Sequence, residues 1–471
     1  MHKKTRRPQA STPLLSICIP TFNRAETLKL LLENIAQVGA SQLEKIEIVI
    51  SDNASTDHTE QVVRSRIDLP IKYNKNTYNI GGAKNLLTAT GRLATGDFVW
   101  IIGDDDLILP KGIETVLDSI ENNKNIDYHY INFGWIKASL RDSVITENKI
   151  EILKTLKFNF QCNLKEWKLL SKLEDLATLP GNNPSALFCG IFCFATRRQF
   201  FVDALDWIKP TSCTYPTTVH LDDWYPHAMA SVIPNIGKPI AYIGTPCMMQ
   251  AVGGWEWKVW LSKSQIFGVY ELFEFIEKNG FDRKCMNQLW RSYYDMAGRI
   301  FSLMQCNPAE HKGLDIVLKK SIPRAASNKI FWKAFMHATR TNVETNYEAD
   351  FMAKHVEKLV KNNSNIKIGI WGLQSRGYTF IKKNPGLHKN IVWIADKSKQ
   401  LHGEKMEPIN MTISPPETIA DAGLDCLIIG TQRKHINSIK KEVKNKISPS
   451  TFIISLEGME ENKAYQMIPN K

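Results

Sequence analysis

The chain has 471 residues, 43% of them hydrophobic and 10% aromatic, which supports several buried cores and excludes a disordered or fibrous protein. A formal net charge of +12 favours phosphate-bearing partners, but there is no helix-turn-helix, zinc-finger spacing or arginine-rich block, so nucleic acid is set aside. Nine cysteines without a C-x-x-C pair, the nearest two being Cys189 and Cys193, read as reduced core thiols of a cytoplasmic protein, with no structural zinc.

Residues 1–12 form a basic tail, Lys3-Lys4 and Arg6-Arg7 leading into Pro8 with no apolar core behind them, so they do not read as a secretory signal. No apolar run reaches the ~18 residues of a spanning helix. The positive charge is compatible with peripheral contact at the cytoplasmic face of an inner membrane. Leu14–Ile19 is a short apolar strand, followed by the polar loop Pro20-Thr21-Phe22-Asn23-Arg24 and a helix from Ala25 with apolar residues at 28, 31, 32 and 35. Ile46–Ile50 is a second strand and ends in Ser51-Asp52-Asn53-Ala54-Ser55-Thr56-Asp57, after which Thr59–Arg66 is helical. Within that loop Ser55 or Asp57 is placed to cap the helix, while Asp52 comes too early for that role. Ile71–Asn74 is a third strand, Asn79-Ile80-Gly81-Gly82 opens a helix through Leu87, and Asp97–Ile102 is a fourth strand.

That fourth strand runs abruptly into Gly103 and three carboxylates, Asp104, Asp105 and Asp106. Adjacent carboxylates raise one another's pKa unless a cation offsets them, and hard divalent ions take such oxygen ligands together with phosphate oxygens. An acidic turn before Leu107-Ile108-Leu109 is the plainer reading. Alternating strands and helices with short loops imply a doubly wound parallel sheet, whose ligands sit at the carboxyl ends of the strands. The loops after strands one, two and four would then line one crevice. Asp52 would accept a hydrogen bond from a base or ribose, and Lys84, beside the N–H groups of Gly81 and Gly82, would neutralise phosphate.

Taken together, PTFNR at 20–24, SDNASTD at 51–57, NIGGAKN at 79–85 and GDFVWIIGDDDLILP at 96–110 resemble the family 2 glycosyltransferases of the GT-A fold. The resemblance covers about the first 240 residues and extends, by its tone, to enzymes of O-antigen and capsule synthesis such as abequosyltransferases. It implies an NDP-sugar donor held by Pro20, Thr21, Asn23, Arg24, Asp52, Asn53, Gly81, Lys84 and Asp104. It also implies Mg²⁺ or Mn²⁺ on the diphosphate. Family members often carry Asp-x-Asp-Asp, and here Gly103 stands first, so Asp105 and Asp106 are the expected metal ligands. Lys84 stands where many relatives have arginine, keeping the charge without the bidentate fork.

Tyr128–Trp135 alternates as a strand, Lys149–Leu179 reads as a long, partly helical insert carrying Trp167, and Leu187–Ala195 as a strand under the acceptor site. In His220-Leu221-Asp222-Asp223-Trp224 the resemblance makes Asp223 the base that deprotonates the acceptor hydroxyl and Asp222 a positioning residue. The pair also suits a helix N-terminus. His220 is a candidate acceptor contact, as are Trp255 and Trp257 in the Trp-rich stretch 255–260, which otherwise suits a membrane-interface belt or core. Helical patterns follow at 266–276, 286–305, 313–320, 327–341 and 346–361.

From Ile366 the βαβ pattern returns: strands at Ile366–Gly372, Ile391–Asp396 and Cys426–Gly430 suggest a small Rossmann-like unit. Its turn lacks the middle glycine, Gln374 standing in that place, so an assembly or regulatory role, including oligomer formation, is favoured over a bound dinucleotide. The expected layout is an α/β protein with a tail (1–12), a GT-A domain (13–245), a helical region (246–362) and a Rossmann-like domain (363–460). The expected function is inverting, metal-dependent transfer of a sugar to a saccharide acceptor, lipid-linked by preference. The alternative is a nucleotide-binding regulatory protein with an inactive transferase-like domain. A nucleotidyltransferase is disfavoured because PTFNRAET lacks a Gly-rich basic loop.

Overall fold

The structure, a computed structural model, describes all residues except 1–11, 156–157, 182, 185–186, 212–219, 253–263, 307–318, 320, 374–375, 432, 444–445, 449–450 and 456–471. It divides into two units, Met1–Phe335 and Met336–Lys471.

The first unit is built on a sheet ordered β3-β2-β1-β4-β8-β6-β9-β5. Its first half is the parallel α/β part: β1 (Leu15–Thr21), β2 (Ile46–Asp52), β3 (Ile71–Lys75) and β4 (Phe98–Ile101). β1 and β4 are buried almost throughout, as strands covered on both faces must be. Helix α1 (Ala25–Gly39) buries Leu28, Leu31, Leu32 and Ile35. Helices α2 (Thr59–Ser65) and α3 (Gly82–Leu87) make the next crossovers, and α3 continues as a π-helical turn, Thr88–Leu93.

The second half is mixed rather than parallel. β5 (Leu107–Ile108) and β7 (Lys168–Leu170) run antiparallel to β9 (Ile240–Val252), whereas β6 (Tyr128–Lys137) runs parallel to it. β8 (Phe194–Arg197) lies antiparallel to both β4 and β6. The strand expected over Leu187–Ala195 is thus shorter and later; its leading segment is loop, and the Phe192 carbonyl accepts the indole N–H of buried Trp100 at 2.9 Å. The 149–179 insert has no α-helix among its described residues, only 3₁₀ turns at Ile150–Thr155 and Leu173–Thr178 around β7. Helices α4 (Gly112–Asn122), α5 (Ala138–Thr146), α6 (Arg198–Trp207), α7 (Leu221–Trp224) and α8 (Pro226–Val232) surround this half.

A helical tail follows: α9 (Val269–Lys278), α10 (Arg283–Cys306), α11 (Ile322–Ala326) and α12 (Lys329–Asn362). Sequence patterning suggests two helices at 327–341 and 346–361, but no glycine or proline interrupts them and they form one. The helix expected at 313–320 lies almost wholly outside the described residues. Ala349, Ala353 and Val356 of α12 belong to the second unit's core, which is why that unit begins inside a helix rather than at residue 363.

The second unit carries β10 (Ile368–Trp371), β11 (Ile391–Ala395), a two-stranded pair β12 (Lys405–Met406) and β13 (Met411–Thr412), β14 (Cys426–Ile429) and β15 (Phe452–Ser455). Its main sheet is all parallel, ordered β11-β10-β14-β15, with α13 (Arg376–Lys383) after β10 and α14 (Arg433–Val443) after β14. Gly372 after β10 has φ +95°, and a Cβ on Gly377 would lie 2.1 Å from the Gly372 carbonyl oxygen, so both positions require glycine. Asp396, only 6% exposed, accepts the Leu373 N–H at 2.8 Å and the Ser398 N–H at 2.9 Å. This carboxylate satisfies backbone N–H groups of its own turn and of the turn after β10.

Candidate active site

The loops after β1, β2 and β4 are tied together at one sheet edge. Pro20 and Thr21 are the last residues of β1 rather than part of the loop. Asn23 takes a left-handed φ of 53°, its N–H donates to Ser55 Oγ at 2.8 Å, and its Oδ1 accepts the Thr56 N–H at 2.8 Å. Asp57 serves two helices: Oδ2 accepts the Ala25 N–H that begins α1 at 3.0 Å, and Oδ1 accepts the Thr59 N–H that begins α2 at 3.1 Å. A carboxylate at two helix N-termini is favoured by both dipoles.

Asp52 is fully buried, with Oδ1 on the Ser55 N–H at 2.7 Å and Oδ2 on the Tyr73 hydroxyl at 2.6 Å. Burial, with Asp52 next in effect, pushes the Tyr73 phenol well above its usual range, so it remains a donor. Asn53 accepts the Ile80 N–H at 2.9 Å and donates to Asn79 at 2.8 Å, while Asn79 accepts the Gly81 N–H at 2.9 Å. Gly81 has φ +89°, the conformation that turns the chain into α3. Tyr73 and Asn79 were not singled out in the sequence, because nothing in a hydroxyl or amide type announces its partner.

The acidic turn is held by two arginines and a threonine. Arg24 spans Asp104 and Asp105, with Nη1–Oδ1 at 2.8 Å and Nη2–Oδ2 at 2.7 Å. Thr21 donates to the other Asp104 oxygen at 2.7 Å. Burial pushes the Asp104 carboxyl up to about 6, with Arg24 pulling it back down. Asp106 is directed into the turn: Oδ2 accepts the Gly103 N–H at 3.1 Å, and burial followed by Asp105 drives its carboxyl well above the normal range. Asp105 has the most accessible carboxylate of the three. Gly103 has a local reason, since a Cβ there would press on Asp106 Oδ2 at 2.8 Å and Asp105 Oδ1 at 3.0 Å. The turn's second cation is Arg141 of α5, which belongs to none of the four sequence motifs. It is 3% exposed, pairs with Asp142, and donates to the Asp105 carbonyl. An arginine between apolar Leu140 and Val144 was the available signal.

Among the described residues no three His, Cys, Asp or Glu side chains form a ready-made metal cage. The turn does fit a divalent cation of the shared kind. Three carboxylates are gathered around Arg24, which spans two of them, while the turn's other arginine, Arg141, pairs with Asp142. Hard oxygen donors of that sort bind Mg²⁺ or Mn²⁺ through one or two carboxylates plus phosphate.

Asp222 and Asp223 lie in the first turn of α7. Asp223, 8% exposed, accepts the Thr211 N–H at 2.8 Å and the Thr211 hydroxyl at 2.7 Å. Asp222 accepts the Lys209 N–H at 2.6 Å. The pair therefore fastens the segment 209–211. His220 directly precedes α7 and is exposed, while His227 is buried and its imidazole is lowered to about 4 by burial. Trp255 and Trp257 lie outside the described residues. Lys84 lines a cleft of about 400 Å³ together with Arg92 and Lys209, and forms no ion pair among the described residues.

Residues 16–199 match the model of the family described as Glycosyl transferase family 2. This part of the chain is a family 2 glycosyltransferase domain. An abequosyltransferase of Salmonella typhimurium is 44% identical over 112 residues, 22% of this chain and 33% of that protein. A Campylobacter jejuni protein named GalNAc(5)-diNAcBac-PP-undecaprenol beta-1,3-glucosyltransferase is 33% identical over 108 residues, covering 22% and 34%. The chain thus spans about a third of the length of these curated relatives. Similar solved structures include Staphylococcus aureus TarS with UDP-GlcNAc (TM-score 0.41, 16% identity, 62% of this chain and 72% of that one). Another is the mannosyltransferase PcManGT of Pyrobaculum calidifontis with GDP-Man and Mn²⁺ (0.40, 15%, 69% and 84%). Both likenesses are loose.

Proposed function

We propose that the first unit transfers a sugar from an NDP-sugar to a saccharide acceptor with inversion, in bacterial surface-polysaccharide synthesis. The observation that carries this reading is the closure of the β1 and β4 loops on the acidic turn through Arg24 and Thr21, inside the matched domain. A bound divalent cation would supply charge neutralisation for the leaving diphosphate, and Asp105 is the residue best placed to hold it, with Asp106 behind it.

The chain's own residues do the remaining work. Asp57 and Asn23 fix the β1 and β2 loops, and Asp52 with Asn53 fixes the wall against which the nucleoside would lie. Asp223 is the proposed base. It takes the acceptor hydroxyl proton as the acceptor oxygen bonds to the anomeric carbon and the bond to the NDP oxygen breaks. Thr211 orients it by donating its N–H to one carboxylate oxygen and its hydroxyl to the other.

Incubating the full chain with a panel of NDP-sugars plus Mn²⁺ or Mg²⁺ and following NDP release tests the reading. Turnover of at least one donor is expected; no binding and no turnover with any donor would sink it.

A further inference from the structure

The cleft that Lys84 lines extends beyond the lysine offered to the donor phosphate to Arg92 and Lys209, which the chemistry above does not use. It is lined by Ile80, Leu87, Leu205, Ile208 and Pro210 on its apolar walls and by Lys84, Arg92 and Lys209, with Thr88 completing it. No carboxylate is among these lining residues. Among the described residues the side chains of Lys84 and Arg92 have no hydrogen-bond or ion-pair partner, and Lys209 Nζ donates only to the Leu205 carbonyl at 2.7 Å. Three like charges on one apolar cleft repel one another unless an anion joins them.

The cleft is also tied to the proposed base. Its rim, Ile208–Pro210, runs directly into Thr211, and both acids of α7 fasten that segment. An anion seated on Lys209 would therefore lie two residues from the partner of Asp223. On the reading that this unit is a transferase, we infer that the cleft binds the diphosphate of a lipid-linked acceptor. Arg92 and Lys209 take the phosphates, Lys84 adds positive charge on the donor side, and the apolar walls take the first part of the lipid. This places the acceptor's anionic end beside the base and gives Arg92 and Lys209 an acceptor role distinct from the donor residues.

The test is calorimetric titration of the full chain with farnesyl diphosphate and, separately, inorganic pyrophosphate, before and after Arg92→Gln/Lys209→Gln. Farnesyl diphosphate is expected to bind more tightly than pyrophosphate. The double variant is expected to weaken it by about tenfold or more, while nucleoside diphosphate affinity and Tm stay nearly unchanged. The inference fails if the wild-type chain binds neither probe, or if the double variant binds farnesyl diphosphate normally. It also fails if nucleotide affinity falls in parallel, which would make the cleft part of the donor site. A chain that binds farnesyl diphosphate through these two residues but binds no nucleotide would keep the cleft and refute the transferase.

Discussion

The parallel half of the first unit's sheet and the all-parallel sheet of the second end in different ways. At the edge of the first unit, carboxylates from one loop are shared with the next: Asp57 reaches Ala25, and Arg24 reaches Asp104 and Asp105. The turn that results has more acid than base and keeps Asp105 accessible. At the edge of the second unit, Asp396 satisfies the N–H groups of Leu373 and Ser398, and Gly377 packs on the Gly372 carbonyl where a phosphate would approach the backbone. The same strand–turn–helix arrangement leaves Asp105 accessible at one edge and, among the described residues, closes the other around Asp396. Placement of the acids relative to the loops, rather than the strand order, makes the difference.

Four changes break or sharpen that contrast. The largest effect is expected from Asp223→Asn, which should lower transfer by about 10²–10⁴-fold, the usual worth of a positioned general base, and leave nucleoside diphosphate affinity in place. Equal loss of both in kinetic and binding assays would remove Asp223 from that role. Next comes Asp52→Asn, which presents an amide N–H₂ to the Ser55 N–H or the Tyr73 hydroxyl. A loss of about 1–3 kcal/mol of stability is expected in denaturant titrations, as for an unsatisfied buried donor. Asp396→Ala should cost a similar or smaller amount, about 1–3 kcal/mol, in unfolding of the second unit, with donor binding untouched. If it changed nucleotide affinity instead, the closed-edge description would be wrong.

The smallest effect concerns acid. His129 is buried neutral, between Ser119 Oγ at 2.9 Å and the Ile126 carbonyl at 3.2 Å, and burial lowers it to about 4. Its folded pKa lies below the unfolded value of about 6.5, so the unfolded chain binds the extra proton first. Its contribution to stability is intact above pH ~6.5 and falls as the pH drops toward about 4. His129→Gln should make the loss over that window shallower in denaturation curves; an unchanged slope would assign the loss elsewhere.

Much of the first half was legible in the sequence because its strands are continuous apolar runs and its loops carry distinctive polar clusters. β1 to β4 and their helices fall where the pattern puts them. The mixed half was not, since β8 is four residues long and earns its place by pairing on both sides with β4 and β6, a long-range fact that no local period records. At the site, Thr21, Arg24, Asn23 and the three aspartates were visible as residue types, and the structure joins them through named bonds. Tyr73 and Thr211 were invisible, because each acts through a partner distant in the chain, and Arg141 carried only the faint signal of a charge among apolar neighbours. The three cations of the cleft were scattered singly over α3, its π turn and the end of α6, and only the fold brings them together.

On the proposed function, the acidic turn holds a nucleotide-sugar diphosphate with the help of a divalent cation. Calorimetric titration of NDP-sugars into the wild-type chain and into Asp105→Asn, each with and without Mn²⁺, tests it most directly. At least one donor is expected to bind, Mn²⁺ to tighten it by about tenfold or more, and Asp105→Asn to remove the Mn²⁺ effect. Binding that is indifferent to both Mn²⁺ and Asp105 would contradict it.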